Sequence, residues 1–170
     1  GLRPDIISYT AVIDACAKAG KHIIAEQWLA KAIEAGLRPK MFSYNVVINA
    51  CAKAGEHIKA EKLLAKAVEV GLKPDIITYS SMLKVYRRSM LSPQDCLTKT
   101  RLLCEMMLSQ RVKPNAIFLQ TLKSTVGQGR FDDFVIHLGL GGQDLETQGI
   151  RANGSSVAAA VDLDFTSNMS

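Results

Sequence analysis

The feature that most constrains this chain is an internal repeat with a period of 35 residues. Residues 1–35 align with residues 36–70 without a gap, and the two segments agree at 23 of 35 positions. A third copy follows from residue 76, stretched by about five residues around residues 89–95, and a degraded fourth copy starts at residue 116. Units of this length stack on their neighbours, because one unit alone cannot bury its apolar face.

Each unit has the pattern of two amphipathic helices, since apolar side chains recur at three- and four-residue intervals. Glycines are placed to end the helices, and the order Gly, apolar residue, Pro closes each unit. The pattern predicts an all-α, right-handed superhelical α-solenoid over residues 1–138. The predicted core positions are Tyr9, Val12, Ile13, Cys16 and Ala17 in the first helix, Ala25, Trp28, Leu29, Ala32 and Ile33 in the second, and Ala60, Leu63, Leu64, Ala67 and Val68 in the next second helix.

The third unit departs from the others at its turn. Ser92 is a good N-cap and Pro93 a good first residue for its second helix, which we expect to run to about Gln110. The insertion is expected to enlarge the loop between the two helices of this unit.

The charge of the chain is divided unevenly. The net charge is +5, but residues 143–170 carry four acids and one base, so residues 1–142 carry +8. A basic body suits an acidic partner such as nucleic acid, although a solvated surface would have the same composition. Residues 139–170 are expected to form a polar, acidic tail, either disordered or covering the solenoid end through the apolar run Val157–Val161.

Several classes of function are disfavoured. The sequence has no run of 18 apolar residues, no catalytic triad pattern and no metal-ligand spacing, so membrane insertion, enzymatic activity, a metal and a cofactor are not expected. The four cysteines lack a CxxC spacing and are predicted to be buried core thiols: Cys16, Cys51, Cys96 and Cys104. The chain shows no targeting segment and starts like the end of a repeat, so we expect a piece of a longer protein.

The repeat resembles the pentatricopeptide repeat. The segments ISYTAVIDACAKAG at residue 7 and FSYNVVINACAKAG at residue 42, an early Ala in the second helix, and GLRP or GLKP closing the unit carry the resemblance. It is strong over residues 1–115 and weak over residues 116–138. Tetratricopeptide repeats have 34 residues and a different aromatic pattern, which is absent here. Pentatricopeptide repeats read single-stranded RNA, one base per repeat. The resemblance further implies RNA stabilisation, processing or translation in a mitochondrion or chloroplast.

The resemblance also implies roles for single residues. The fifth residue of the first helix and the last residue of the unit read the base, which gives Thr10 with Lys40, Asn45 with Asp75, Ser80 with Asn115, and Gln120 in the fourth unit. The second residue of each unit sandwiches the base, which gives Ile7, Phe42, Ile77 and Ile117. By similarity, the second pair resembles a uracil reader and the third an adenine reader. The first pair departs from the family, because a lysine only donates hydrogen bonds.

The repeat period alone, without the family resemblance, reveals a row of cations. Near the end of each first helix the same slot holds Lys18, Lys53 and Arg88, with Gln128 in the fourth unit. Such a row can contact RNA phosphates. Alternatively, the cations can simply be stabilised by the negative end of the helix dipole.

Simpler roles for some of these residues stay open. Asp75 and Asn115 could serve only as N-caps, and Ile7 and Ile77 could be ordinary core residues. A structural or protein-binding subunit of a ribonucleoprotein or organellar complex is the competing function, favoured by the Lys40 departure and by the insertion.

Overall fold

A computed structural model describes residues 5–139, whose regular structure is entirely helical. The helices are α1 (Ile6–Lys18), α2 (His22–Glu34), α3 (Met41–Ala54), α4 (His57–Glu69), α5 (Ile76–Arg88), α6 (Pro93–Ser109), α7 (Ala116–Val126) and α8 (Gln128–His137). Within this range they form four hairpins, and each first helix begins at the residue where the repeat predicts it. The predicted tail lies outside the described residues, apart from Gly139.

The hairpins stack into two layers. The first helices α1, α3, α5 and α7 pack on one another in order, and each of α2, α4 and α6 packs on its own partner and on the next first helix. The core between them is built from side chains such as Tyr44, Ile48, Tyr79 and Leu83, all 2% exposed or less. The surface of the first-helix layer that points away from the second helices is called the first-helix face below.

Three of the predicted core positions are wrong. Val12, Ile33 and Val68 are 37%, 44% and 43% exposed. The equivalents of Val12 in the next units, Val47 and Met82, are fully buried, because each is covered by the preceding unit. Among the described residues no helix precedes α1. Ile33 and Val68 lie on the second helices α2 and α4, and Val68 lines a cavity between α4 and α6.

The small residues of the second helices behave as predicted. Ala25, Ala32, Ala60 and Ala67 are all fully buried. A larger side chain at these positions would hold the paired helices apart, and overpacking of this kind costs ~1–3 kcal/mol.

The end of α6 differs from the ends of α2 and α4. Gly36 and Gly71 follow those helices with φ of 76° and 83°. In the third unit the same place is taken by Arg111, with φ of 57°. A left-handed backbone is open to glycine but strained for an L-residue with a side chain, so the third unit makes the same turn at a higher energy.

We expect Arg111→Gly to stabilise the protein. Relief of the left-handed conformation contributes about 1–2 kcal/mol, and the greater freedom of glycine in the unfolded chain offsets ~0.4–1 kcal/mol of it. Urea denaturation followed by circular dichroism should show a higher midpoint. Lys113→Gly, two residues further on without a positive φ, is the matched control and should lower the midpoint. A lower midpoint for both variants would contradict the argument.

The insertion in the third unit lengthens a helix more than a loop. As predicted, Ser92 caps α6, accepting a hydrogen bond from the Asp95 backbone N–H at 3.0 Å. The helix therefore starts early and has 17 residues, against 13 in α4. The expected enlargement of the loop is confirmed, since residues 89–92 separate α5 from α6 where residues 55–56 separate α3 from α4. The larger part of the insertion nevertheless extends the helix that Ser92 and Pro93 begin.

Two further expectations need correction. Gln128, predicted near the end of the fourth first helix, is instead the first residue of α8, because Gly127 ends α7 after 11 residues. Of the cysteines, Cys51 and Cys104 are buried, and burial raises the pKa of the Cys51 thiol to about 11. Cys16 and Cys96 are only partly buried.

Candidate nucleic-acid interface

A row of exposed apolar side chains runs along the first-helix face. Ile7, Phe42, Ile77 and Ile117 each occupy the second position of a first helix, and they are 74%, 62%, 61% and 62% exposed. The alternative of a core role for Ile7 and Ile77 is therefore excluded. Single exposed apolar residues are common on protein surfaces, but four at the same place in successive units form a surface suited to contact. These four residues are called the clamp row below.

Polar side chains lie one helical turn beyond the clamp row. Thr10 is partly buried, Asn45 and Ser80 are 7% and 6% exposed, and Gln120 is exposed. Residues three apart on a helix are surface neighbours. Each unit therefore sets a hydrogen-bonding group next to an exposed apolar one, and in the first three units the polar group is the deeper of the two.

In the second unit the structure brings the predicted pair into contact. The Asn45 amide Nδ2 donates to Asp75 Oδ1 at 3.3 Å. Asp75 also caps α5, accepting from the Thr78 backbone N–H and hydroxyl at 2.8 Å each, while the Thr78 hydroxyl accepts from the Asp75 N–H at 3.2 Å. Capping and pairing with Asn45 are thus compatible roles of one carboxylate.

The environment of Asp75 keeps it ionised. Burial by itself raises the pKa of this carboxyl, but the hydrogen bonds from Thr78 and then from Asn45 outweigh it, so the pKa lies below its ordinary value. An ionised Asp75 only accepts hydrogen bonds, which fixes the direction in which the Asn45 amide donates.

The other end of the Asn45 amide has no partner. Within the described residues its Oδ1 is buried and accepts no hydrogen bond. A buried polar atom left in this state costs ~1–3 kcal/mol. An N–H group that reached this oxygen would remove the cost.

In the first unit Thr10 and Lys40 line one cavity of about 400 Å³, bounded by the clamp residues Ile7 and Phe42. The Thr10 hydroxyl lies 3.1 Å from the Ser43 hydroxyl at its floor. Lys40 stands at the N-cap of α3, where its side chain makes no capping hydrogen bond.

In the third unit the predicted pair is not joined. The Asn115 Oδ1 accepts from the Phe118 backbone N–H at 2.9 Å and so caps α7. The described residues show no hydrogen bond between Asn115 and Ser80. The N-cap role of Asn115 is present, and its base-reading role remains a prediction.

The three predicted cations are exposed and share the clamp row's side of the first helices. Each lies eleven residues beyond a clamp residue. Eleven residues of an α-helix turn to within about 20° of the starting direction and advance about 16 Å along the helix axis. Lys18 forms an ion pair with Asp14 at 2.6 Å. Among the described residues Lys53 and Arg88 form none, which leaves them available for phosphates.

The sequence interpretation missed three residues of this site: Asp14, Ser43 and Thr78. Two of them carried a readable signal, because an acid four residues before a lysine, and Asp-x-x-Thr at a helix start, are recognised pairing and capping patterns. Ser43 carried none, since its contact with Thr10 spans 33 residues and depends on how the units stack.

Two family models match the chain. The PPR repeat family matches residues 39–88, and the pentatricopeptide repeat domain matches residues 1–54. Together they span residues 1–88, just over half of the sequence. The chain belongs to the pentatricopeptide repeat family. No curated protein matches it significantly.

Solved structures of pentatricopeptide repeat proteins share the fold. The crystal structure of PPR10 from maize is 24% identical, with a TM-score of 0.67 over 82% of this chain. PPR10 in complex with an 18-nt psaJ RNA element is 22% identical, with a TM-score of 0.67 over 98% of this chain. The match confirms the predicted α-solenoid. The chain spans only 20–24% of the length of these structures.

Within residues 5–139 no helix is long and apolar enough to cross a membrane. In the same range no group of three or more His, Cys, Asp or Glu residues is placed to hold a metal ion.

Proposed function

We propose that this chain binds single-stranded RNA on its first-helix face, one base per repeat, and acts by binding rather than by catalysis. The observation that carries the proposal is the clamp row, four exposed apolar side chains in register, each beside a polar group. Membership of the pentatricopeptide repeat family and the fold shared with PPR10, which was solved with RNA, support it.

In this proposal each base enters the slot between two successive clamp residues. Apolar and aromatic side chains hold bases of any type, because every base has a π-face. The polar residues beyond them then select the base through hydrogen bonds to its edge. The slot is open on the first-helix face, where an unpaired strand can lie along the units.

The second unit is suited to uracil. The free Oδ1 of Asn45 would accept from the N3–H of the base, and the second hydrogen of Nδ2 would donate to O4. Asp75 holds the amide in the orientation that this requires. The proposed assignment of adenine to Ser80 and Asn115 is supported by the family resemblance alone.

Lys53 and Arg88 are proposed to contact phosphates. Each contact should contribute about −0.7 to the slope of log K against log salt for a single strand. Lys53→Ala and Arg88→Ala should therefore each flatten the slope by about 0.7 and weaken all RNA sequences alike. Lys66→Ala, on the second helix α4, is the charge-matched control and should leave the slope unchanged. Equal slopes in all of these variants would remove the phosphate assignment.

The first experiment is fluorescence anisotropy with short labelled RNAs at low and moderate salt. Probes with UA flanked by purines should bind more tightly than scrambled ones, and salt should weaken both. Circular dichroism on the same sample establishes that it is folded. A helical sample that binds no RNA at tens of micromolar would overturn the proposal.

The family resemblance also supports a proposal for the cellular role of the protein. We propose a role in RNA stabilisation, processing or translation in a mitochondrion or chloroplast, alongside other subunits of a ribonucleoprotein. Crosslinking of the tagged protein to RNA in isolated organelles tests this, and its absence from both organelles would contradict it.

One observation favours the competing function, a solenoid that binds protein. A cavity of about 780 Å³ lies between α4 and α6, lined by Leu102 and Met106, which are 57% and 40% exposed. In α4 the equivalent positions are Lys62 and Lys66. An amphipathic helix of a partner would fit such a groove. Replacing Leu102 and Met106 by lysine should then release that partner without changing RNA anisotropy.

A further inference from the structure

We propose that the first unit selects guanine and that Lys40 determines this choice. The inference rests on the proposed function, in which bases enter between clamp residues. It concerns the unit that departs from the family pattern, so the family supplies no base for it. The cavity of about 400 Å³ bounded by Ile7 and Phe42 is where that base would lie.

The hydroxyl groups of this cavity have a defined polarity. The Thr10 hydroxyl donates its only hydrogen to the Ile6 carbonyl oxygen at 2.7 Å. The hydrogen bond of 3.1 Å between Thr10 and Ser43 must therefore be donated by Ser43. With both hydrogens engaged, Thr10 offers a ligand in the cavity only an acceptor lone pair.

Lys40 supplies the opposite polarity. It is exposed, its side chain makes no capping hydrogen bond, and it forms no ion pair within the described residues. At the equivalent positions Asp75 and Asn115 are acceptors that are occupied by capping. The ammonium group of Lys40 is therefore free, and it offers three donors and a positive charge.

Guanine matches this arrangement better than the other bases. Its O6 and N7 are two adjoining acceptors, the edge that lysine and arginine contact most often. Its N1–H is a donor beside O6 and can be accepted by Thr10. Adenine carries an amino group next to N7, and cytosine carries one at the corresponding edge, so both present a donor to the ammonium. Uracil offers a single acceptor there.

The test uses the intact chain and two series of short RNAs. Since the second unit is assigned to uracil and the third to adenine, the first unit should read the base next to uracil on the side away from adenine. The series NUA and AUN, with each base in turn at N, cover both strand directions. In one series guanine should bind at least about fivefold more tightly than the other three bases.

Variants separate this inference from folding and from binding in general. Lys40→Met removes the ammonium donors from a side chain that makes no capping hydrogen bond, so the fold is secure, and it should abolish the guanine preference. Thr10→Val should reduce that preference. Arg38→Ala removes a nearby charge that does not line the cavity and should retain the preference. If no RNA binds, the proposed function fails. If UA is still selected but N is not, only the guanine inference is overturned.

Discussion

Replacing Phe42 by alanine is expected to weaken RNA binding by about tenfold or more, with little change in stability. Loss of a stacking platform costs ~1–3 kcal/mol per base, and Phe42 borders two slots, those of the first and second units. Its side chain is 62% exposed, so it contributes little to the core. Anisotropy with the UA probe measures the affinity, and thermal denaturation followed by circular dichroism measures the stability.

The matched control for this variant is Ile58→Ala. Ile58 is an apolar residue of similar exposure, 56%, but it lies in the second helix α4. It should leave RNA affinity unchanged. If both variants bind RNA as the native chain does, the clamp row has no role in binding. If both lose affinity equally, the RNA does not lie on the first-helix face.

The contrast between Ile7 and Ile13 shows what a helical pattern can and cannot predict. Both are isoleucines of α1, yet one is 74% exposed and the other fully buried. The spacing of apolar residues predicts where a helix starts and which stripe is apolar on average. Each unit also has an apolar residue outside this stripe, at the second position of its first helix. The family resemblance gives this residue a role, and only the structure shows that it is exposed.

Contacts within a unit could be predicted more completely than contacts between units. The capping of α5 joins Asp75 to Thr78, only three residues away. The start of α6 at Pro93 likewise depends on the adjacent Ser92. The hydrogen bonds from Asn45 to Asp75 and between Thr10 and Ser43 span 30 and 33 residues. They depend on how one hairpin stacks on the next, which the repeat implies but does not specify in atomic detail.

The insertion illustrates the same limit. Its length was evident from the repeat, but a helix and a loop can both absorb extra residues. The capping at Ser92 decides in favour of the helix, so most of the extra residues extend α6 at its start. Each later first helix still begins at the residue that the repeat predicts.

Replacing Asp75 should affect stability and uracil recognition together. Asp75→Ala removes the capping box of α5, which should cost about 0.5–2 kcal/mol. It also frees the amide of Asn45, whose orientation then no longer favours uracil, so the preference for the UA probe should disappear. Asp75→Asn keeps an N-cap and an acceptor for Asn45, and should retain most of the stability and part of the selectivity. Urea midpoints and anisotropy measure the two effects.

Ser92→Ala is the control that separates these effects, because it removes an N-cap from α6, which carries no residue assigned to base reading. It should cost similar stability and leave selection of uracil intact. The pH dependence gives an independent check. Because the folded pKa of Asp75 is lowered, its stabilisation is present above the ordinary value of 3.8 and is lost as the pH falls through the folded value. The stability difference between the native chain and Asp75→Ala should therefore be full at pH values above about 5 and shrink below 3.8. A difference that stays constant into acid would mean that the carboxylate charge contributes nothing to the cap.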